Sequence, residues 1–353
     1  MGNLITTYQN IADILSFDVS KDALEKTLKN DNFDWDNIVV EGSKHLVLPA
    51  IYCQLKKKQL THLLPQELDV YLKDITTLNK NRNTEVIKQI SVLSELLNTH
   101  NIDHVFLKGA ALISGNYYEN ISERMLGDID ILIPQQQLDE AFKLLNNNSY
   151  YPIDQTLGND FFEHKHLPRL KTDTYICAVE LHRKLFVSHK EKNLSTSSIL
   201  ASRNIVNGIS IPSAKHLLHH NILNYQINDH GKLYNSISFR PAYDTIVLLT
   251  KCKASAIKHT KTIRTYFSIL GLFFRDINKS SKSTSFIAKF YLYKLKHPKF
   301  YKFWNKLLKR THFLLLITNR IPYFIFNNAY RTAVIKDRKR IFIYFRSVLS
   351  NSK

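Results

Sequence analysis

Two aspartates one residue apart, Asp128 and Asp130, interrupt the apolar stretch LGDIDILIP. Side chains alternate faces along a strand, so both carboxylates project together while Ile129, Ile131 and Ile133 turn toward a core. Carboxylates on one face repel unless a cation lies between them. A divalent metal suits that position, since Mg2+ is held by one or two carboxylates together with phosphate oxygens of a substrate. The plain alternative is a solvated edge strand whose acids do nothing.

Upstream, Val105, Phe106 and Leu107 form a short apolar run, and Lys108-Gly109 breaks it before AALISGNYY, which has helical spacing. Strand, glycine turn and helix start make a phosphate-binding arrangement. Gly109 admits close backbone approach, free N–H groups favour an anion, and Lys108 adds a point charge. Taken alone, the same pair is also an ordinary turn. A third acid, Glu180, lies in TYICAVELHRKLF, where Glu180 and His182 share a face. A strand carrying Glu180 beside the Asp128 strand completes a carboxylate triad, and such a triad holds two metals about 3.5 to 4 Å apart. Glu180 could instead be an exposed strand residue paired with Arg183 or Lys184. His182 reads as a hydrogen-bonding partner of an acid or as a direct ligand.

Helical periodicity dominates the first hundred residues. Ser20 or Asp22 is placed to cap ALEKTLKN, Asp36 to cap IVVEGSKHL, and Pro65 to start a pattern running to His100. That last pattern is one long helix or two joined near Asn79 to Asn83. After the 105–134 unit come a helix over QQLDEAFKLLNNN and a polar stretch from Tyr150 to about Thr174. Its His164, Lys165, His166 and Arg169 either face a nucleotide or decorate a hairpin. Ser213 then precedes AKHLLHHNILNYQI, and Arg240, Pro241 and Asp244 open a further helix.

These residues together resemble the uncharacterised nucleotidyltransferase family of the DNA polymerase beta-like superfamily. The resemblance rests on Leu107-Lys108-Gly109, Tyr117-Tyr118, Arg124, the strand Gly127-Asp128-Ile129-Asp130-Ile131-Leu132, and Val179-Glu180-Leu181-His182, found in that order. With weaker features near Asp34 and at Leu63 to Pro65, it spans roughly residues 30 to 250. One departure is Gly109-Ala110, where the superfamily more often has Gly-Ser or Gly-Gly; Lys108 or Ser114 would then replace the missing hydroxyl contact to phosphate. His219 or His220, Arg240 and Asp244 match family positions too, and an internal Arg240–Asp244 pair between helices is the simplest role for the last two.

The resemblance implies an α+β polymerase beta-like core, a small mixed sheet with flanking helices, between helical N- and C-terminal regions. The expected division is 1–100 helical, 101–200 catalytic, 201–250 a helical extension of the core, and 251–353 basic, aromatic and mainly helical. It further implies NMP transfer from an NTP to an acceptor such as a sugar or metabolite, an RNA end or a protein. Asp128 and Asp130 would hold Mg2+ or Mn2+, Glu180 would bind the second metal or serve as base toward the acceptor, and Lys108, Gly109, Ser114, Arg124 and His182 would contact the nucleotide.

Charge is uneven along the 353 residues. Residues 251 to 353 hold 24 of the 49 Lys and Arg against Asp276 and Asp337 alone, a net +22, so the rest carries −3. Basic groups interleaved with aromatics, as in KFYLYKLKHPKFYKFWNKLLKR, suit RNA or an anionic membrane surface, or form a helical domain with a solvated basic face. A binding protein with a vestigial core is accordingly the rival reading. FLLLITNRIPYFIF is broken by Arg320 and Pro322, too short for a transmembrane helix. Three scattered cysteines, Cys53, Cys177 and Cys252, and the lack of a signal-peptide pattern lead to a cytoplasmic expectation.

Overall fold

In a computed structural model, residues 3–153, 161–162, 164–186, 194–277 and 285–349 are described. The N-terminal apolar periodicity becomes α1 (Leu4–Leu15), α2 (Lys21–Leu28), α3 (Trp35–Lys44), α4 (Leu48–Lys57) and α5 (Gln66–Thr99). Ser20 caps α2 as expected, its side chain accepting from the Ala23 N–H. For α3 the cap is Asp34, which accepts from the Asn37 N–H, and not Asp36, which lies within the first turn. An N-cap residue must stand just outside the helical backbone for its oxygen to face the first free N–H groups.

The long pattern is one continuous helix of 34 residues. The asparagines that suggested a joint turn inward instead. Asn79 Nδ2 donates to the Ser122 carbonyl at 2.6 Å, and Asn83 Nδ2 donates to the Ile121 and Arg124 carbonyls at 2.5 and 2.8 Å. They clamp the segment that carries Arg124, satisfying backbone acceptors that burial would otherwise leave bare.

The sheet comprises β1 (Val105–Phe106), β2 (Asp128–Leu132), β3 (Tyr151–Pro152), β4 (Leu170–Lys171) and β5 (Ala178–His182), in the order β1-β2-β5-β4-β3. β2 and β5 run parallel; the other pairings are antiparallel. α6 (Lys108–Ser114) leaves β1, and α7 (Leu138–Asn147) lies in the crossover that a parallel pair requires. Ile129, Ile131, Val179 and Leu181 are fully buried on one face of the central pair. The architecture is the expected α+β one, a small mixed sheet flanked by helices.

Beyond the sheet follow α8 (Thr196–Ala201), the hairpin of β6 (Asn204–Val206) and β7 (Ile209–Ile211), and α9 (Ala214–Leu223). α9 widens into a π-helical turn over Asn224–Asn228 before α10 (Gly231–Tyr234), α11 (Phe239–Leu249) and α12 (Lys261–Leu270). Then come α13 (Phe286–Lys296), α14 (Pro298–Phe326), α15 (Asn328–Lys336) and α16 (Arg338–Leu349).

Two compact units divide the chain, 1–153 with 165–292, and 154–164 with 293–353. In the second, Phe162 packs against Tyr323 and Tyr330, and the Arg320 guanidinium lies 5.1 Å over the Phe162 ring. Its α14 exposes Phe303, Leu314, Leu315 and Ile325. Among the described residues no helix is long and apolar enough to cross a membrane.

Candidate active site

The register of β2 on β5 sets the site. Asp130 stands beside Glu180, Asp128 beside Ala178 and Leu132 beside His182. Residues paired across neighbouring strands share a face. Asp128, Asp130, Glu180 and His182 therefore gather on the face opposite the isoleucine core. Asp130, Glu180 and His182 each offer a ligand atom, all within 4.8 Å of one another, and all three residues are buried.

His182 is the hub of this cluster. Its Nε2 lies 2.7 Å from Asp130 Oδ1 and 3.4 Å from Glu180 Oε2. His166, on the neighbouring chain segment, brings its own Nε2 to 3.6 Å from Glu180 Oε2. Lys108 Nζ closes the Asp130 side at 2.6 Å.

Lys108 gets there through an unusual backbone. It has φ +51°, the left-handed region that a non-glycine residue adopts at a cost of about 1 to 2 kcal/mol. Leu107 N–H donates to the Asp130 carbonyl at 2.9 Å, fixing the turn against β2. Gly109 has an ordinary negative φ and is needed for a different reason. A Cβ there would stand 2.9 Å from Leu126 Cγ, so α6 or the Leu126 side chain would have to shift. The left-handed residue of this turn is thus Lys108 and not the glycine after it.

Arg169 is the member that sequence reasoning left unassigned. Leu170 pairs with Val179 on the core face, so alternation sends Arg169 to the carboxylate face. Its Nη2 donates to Glu180 Oε1 at 2.6 Å and to Asp128 Oδ2 at 2.9 Å, and its Nε donates to Glu180 Oε1 at 3.0 Å. A strand of two residues offers no period to read, which is why the sequence did not distinguish it from a hairpin ornament.

Cations on both sides set the protonation of the three acids. Burial alone would raise Asp130, but the Lys108 charge and the His182 hydrogen bond hold it well below the ordinary carboxylate range. Glu180 is likewise pushed up by burial and brought down to about 2, chiefly by His182, with His166 and Arg169 adding to it. Asp128 goes the other way: burial and the neighbouring charges of Asp130 and Glu180 raise it despite Lys108 and Arg169.

Among the described residues, Arg124 and Ser114 make no hydrogen bond to the three carboxylates; Arg124 instead lines a cleft beside Lys108. Arg124 Nε donates to Asp244 Oδ1 at 2.7 Å, its Nη1 donates to the Met125 carbonyl, and the Tyr118 hydroxyl donates to the same Asp244 oxygen. The expected Arg240–Asp244 pair is therefore replaced by Arg124–Asp244. Ser114 is the last residue of α6, roughly 9 Å along the helix from Lys108, and its buried Oγ has no hydrogen-bond partner. His219 and His220 are buried, and burial lowers their pKa to about 4 and about 3.

The oxygen-rich donor set fits a divalent ion. Asp130 and Glu180 stay ionised, Asp128 adds a third carboxylate one pleat along β2, and Asp130 Oδ2 accepts no hydrogen bond among the described residues. A search of curated proteins returned no match. A family model, described as uncharacterised nucleotidyltransferase, matches residues 31–257 and so covers every strand and every carboxylate of the site. The chain belongs to the uncharacterised nucleotidyltransferase family.

Proposed function

We propose that the protein is a metal-dependent nucleotidyltransferase that transfers NMP from an NTP to an acceptor hydroxyl or phosphate. The observation that carries the reading is Asp130 in register with Glu180 on parallel strands, with Asp128 two residues away on the same face. In such a transfer the acceptor oxygen bonds to the α-phosphorus, the bond to the α,β-bridging oxygen breaks, pyrophosphate leaves, and a hydroxyl acceptor gives up its proton to solvent. Bound Mg2+ or Mn2+ would lower the pKa of the attacking group and neutralise the departing pyrophosphate. Asp128, Asp130 and Glu180 are the residues to hold it.

The remaining side chains divide the supporting work. Lys108 balances Asp130 and presents its ammonium beside the carboxylates, where a phosphate oxygen can share it. His182 orients both Asp130 and Glu180 through one nitrogen. Glu180 suits the ligand role better than the base role, because a carboxyl held at about 2 is a weak proton acceptor. Arg124 serves as a strut between the segment before β2 and α11.

A binding titration separates this reading from a vestigial core. Paramagnetic resonance of Mn2+ with the full chain should show a bound fraction that Asp130→Asn removes. Equal Mn2+ binding in the variant and the parent would place the metal elsewhere.

For the basic second unit we propose an anionic membrane surface as partner. Its exposed apolar side chains, aliphatic Leu314, Leu315, Ile325 and Ile343 with aromatic Phe303, Phe326 and Phe342, lie among many Lys and Arg, a composition suited to an amphipathic helix at an anionic membrane surface. Charge reversal at Lys302 and Lys309 should abolish sedimentation with phosphatidylserine vesicles at low salt. Retained sedimentation would reduce these lysines to a solvated face.

A further inference from the structure

Asp244 is already matched. Arg124 and Tyr118 both donate to its Oδ1, so the carboxylate one helical turn beyond Arg240 is taken. Arg240 is left over. It is largely sheltered, yet among the described residues it donates no hydrogen bond and lies within 4 Å of no carboxylate. A guanidinium carries five N–H donors, and those of the half-buried Arg240 reach the solvent of a cleft, where the acceptors of an anion can take them.

Its surroundings say which ligand. Arg240 lines a small cleft of about 50 Å³ together with Lys108, Arg124, Asn224, Asp229 and Asp244. Lys108 belongs to both places: it forms one wall of this cleft, and its Nζ touches Asp130 of the carboxylate cluster. A group bound at the carboxylates can therefore continue past Lys108 to Arg240. The cleft holds on the order of four water-sized volumes, room for a phosphoryl group and not for a nucleobase. A planar guanidinium matches phosphate oxygens two at a time. The π-helical turn over Asn224–Asn228 shapes the opposite wall. There Asn224 Nδ2 reaches Asp229 Oδ2 at 3.4 Å.

We propose that Arg240 binds the terminal phosphates of the nucleotide's triphosphate, in the cleft it shares with Lys108, and that Asp229 opposes it as a counter-charge limiting affinity. This deepens the nucleotidyltransferase reading and rests on it. Arg124 lines the same cleft, but its Nε and Nη1 are committed to Asp244 and the Met125 carbonyl, which makes Arg240 the arginine with donors to offer a phosphate. Burial lowers the pKa of Arg240, most of all by desolvation, as expected for a cation awaiting an anion.

Calorimetry of the full-length protein with Mg2+ and inorganic tripolyphosphate tests it. Arg240→Gln should weaken binding about 10- to 100-fold, the effect of removing one charge-assisted contact. Arg240→Lys should recover part of that loss, and Asp229→Asn should tighten binding severalfold. Mn2+ binding at the carboxylates, read by paramagnetic resonance, should stay within about twofold in Arg240→Gln. Arg240→Lys and Asp229→Asn keep the question open to answer should Arg240→Gln fail to fold. Tripolyphosphate affinity unchanged in both Arg240→Gln and Asp229→Asn, or no binding by the parent protein, overturns the proposal. If affinity is unchanged while Asp130→Asn still abolishes NMP transfer, Arg240 leaves the site and the nucleotidyltransferase reading stands.

Discussion

Lys108 Nζ lies 2.6 Å from Asp130 Oδ1, although Lys108 must adopt a left-handed backbone to reach it. The strain and the ion pair belong to one device, a lysine aimed at a carboxylate that has almost no solvent of its own. Strain of this kind persists only where the surrounding structure over-determines it. Here the Leu107 N–H bond to the Asp130 carbonyl and the Gly109–Leu126 packing do so.

Asp128 and Asp130 should therefore differ in stability although they sit on one strand. Asp128→Asn removes a charge whose ionised form the fold disfavours, so the unfolding midpoint should hold or rise. Asp130→Ala strips the counter-charge from Lys108 and the acceptor from His182, at a cost of about 3 to 5 kcal/mol. Urea unfolding of the two variants compares them, and equal midpoints would contradict the pairing.

Arg169 competes with any cation for two of the three carboxylates. Removing it in Arg169→Gln should raise Mn2+ affinity in the absence of nucleotide by roughly fivefold, about 1 kcal/mol for a half-exposed partner. A fall in affinity would mean that Arg169 organises the carboxylates for the ion instead of occupying its place.

Arg124 is expected to act through the fold. Arg124→Met leaves Asp244 buried with only the Tyr118 hydroxyl, and should cost about 3 to 5 kcal/mol of stability. Folded Arg124→Met protein, recovered at low temperature, should keep tripolyphosphate affinity within about threefold of the parent. A selective loss of affinity with unchanged stability would return Arg124 to the nucleotide site.

Acid should unfold the protein partly through Glu180. Its carboxyl titrates at about 2 in the fold against an ordinary 4.5, so its contribution is complete above the ordinary value and is lost as pH falls toward 2. Asp130, also lowered, acts in the same direction, whereas the raised Asp128 acts against both. The slope of stability against pH between about 4.5 and 2 should flatten in Glu180→Gln, by on the order of 3 kcal/mol across the window at most. Parallel curves for variant and parent would show that Glu180 is not held ionised by its neighbours.

Much of this site was legible in the sequence because it obeys a period of two. Asp128 with Asp130, and Glu180 with His182, share a face for the reason that makes Ile129, Ile131, Val179 and Leu181 core. What a period cannot carry is the partner across space. Nothing local says that Asp244 is matched by Arg124, 120 residues away, and not by Arg240 one turn before it. Arg169 sits beside a strand of two residues, and the Asn79 and Asn83 clamps depend on a loop about 40 residues downstream. Lys108 shows a further limit: glycine is the default left-handed residue, yet here its neighbour takes that conformation while Gly109 answers to Leu126.

The central claim is NMP transfer at the Asp128, Asp130 and Glu180 cluster, and position-specific labelling addresses it most directly. Purified full-length protein would be incubated with Mg2+ or Mn2+, cell extract and each NTP in turn, labelled either at the α- or at the γ-phosphate. α-Label should enter an acceptor, γ-label should leave as pyrophosphate, and Asp130→Asn should abolish both. Incorporation of γ-label, or α-label transfer by Asp130→Asn within about threefold of the parent, would contradict it.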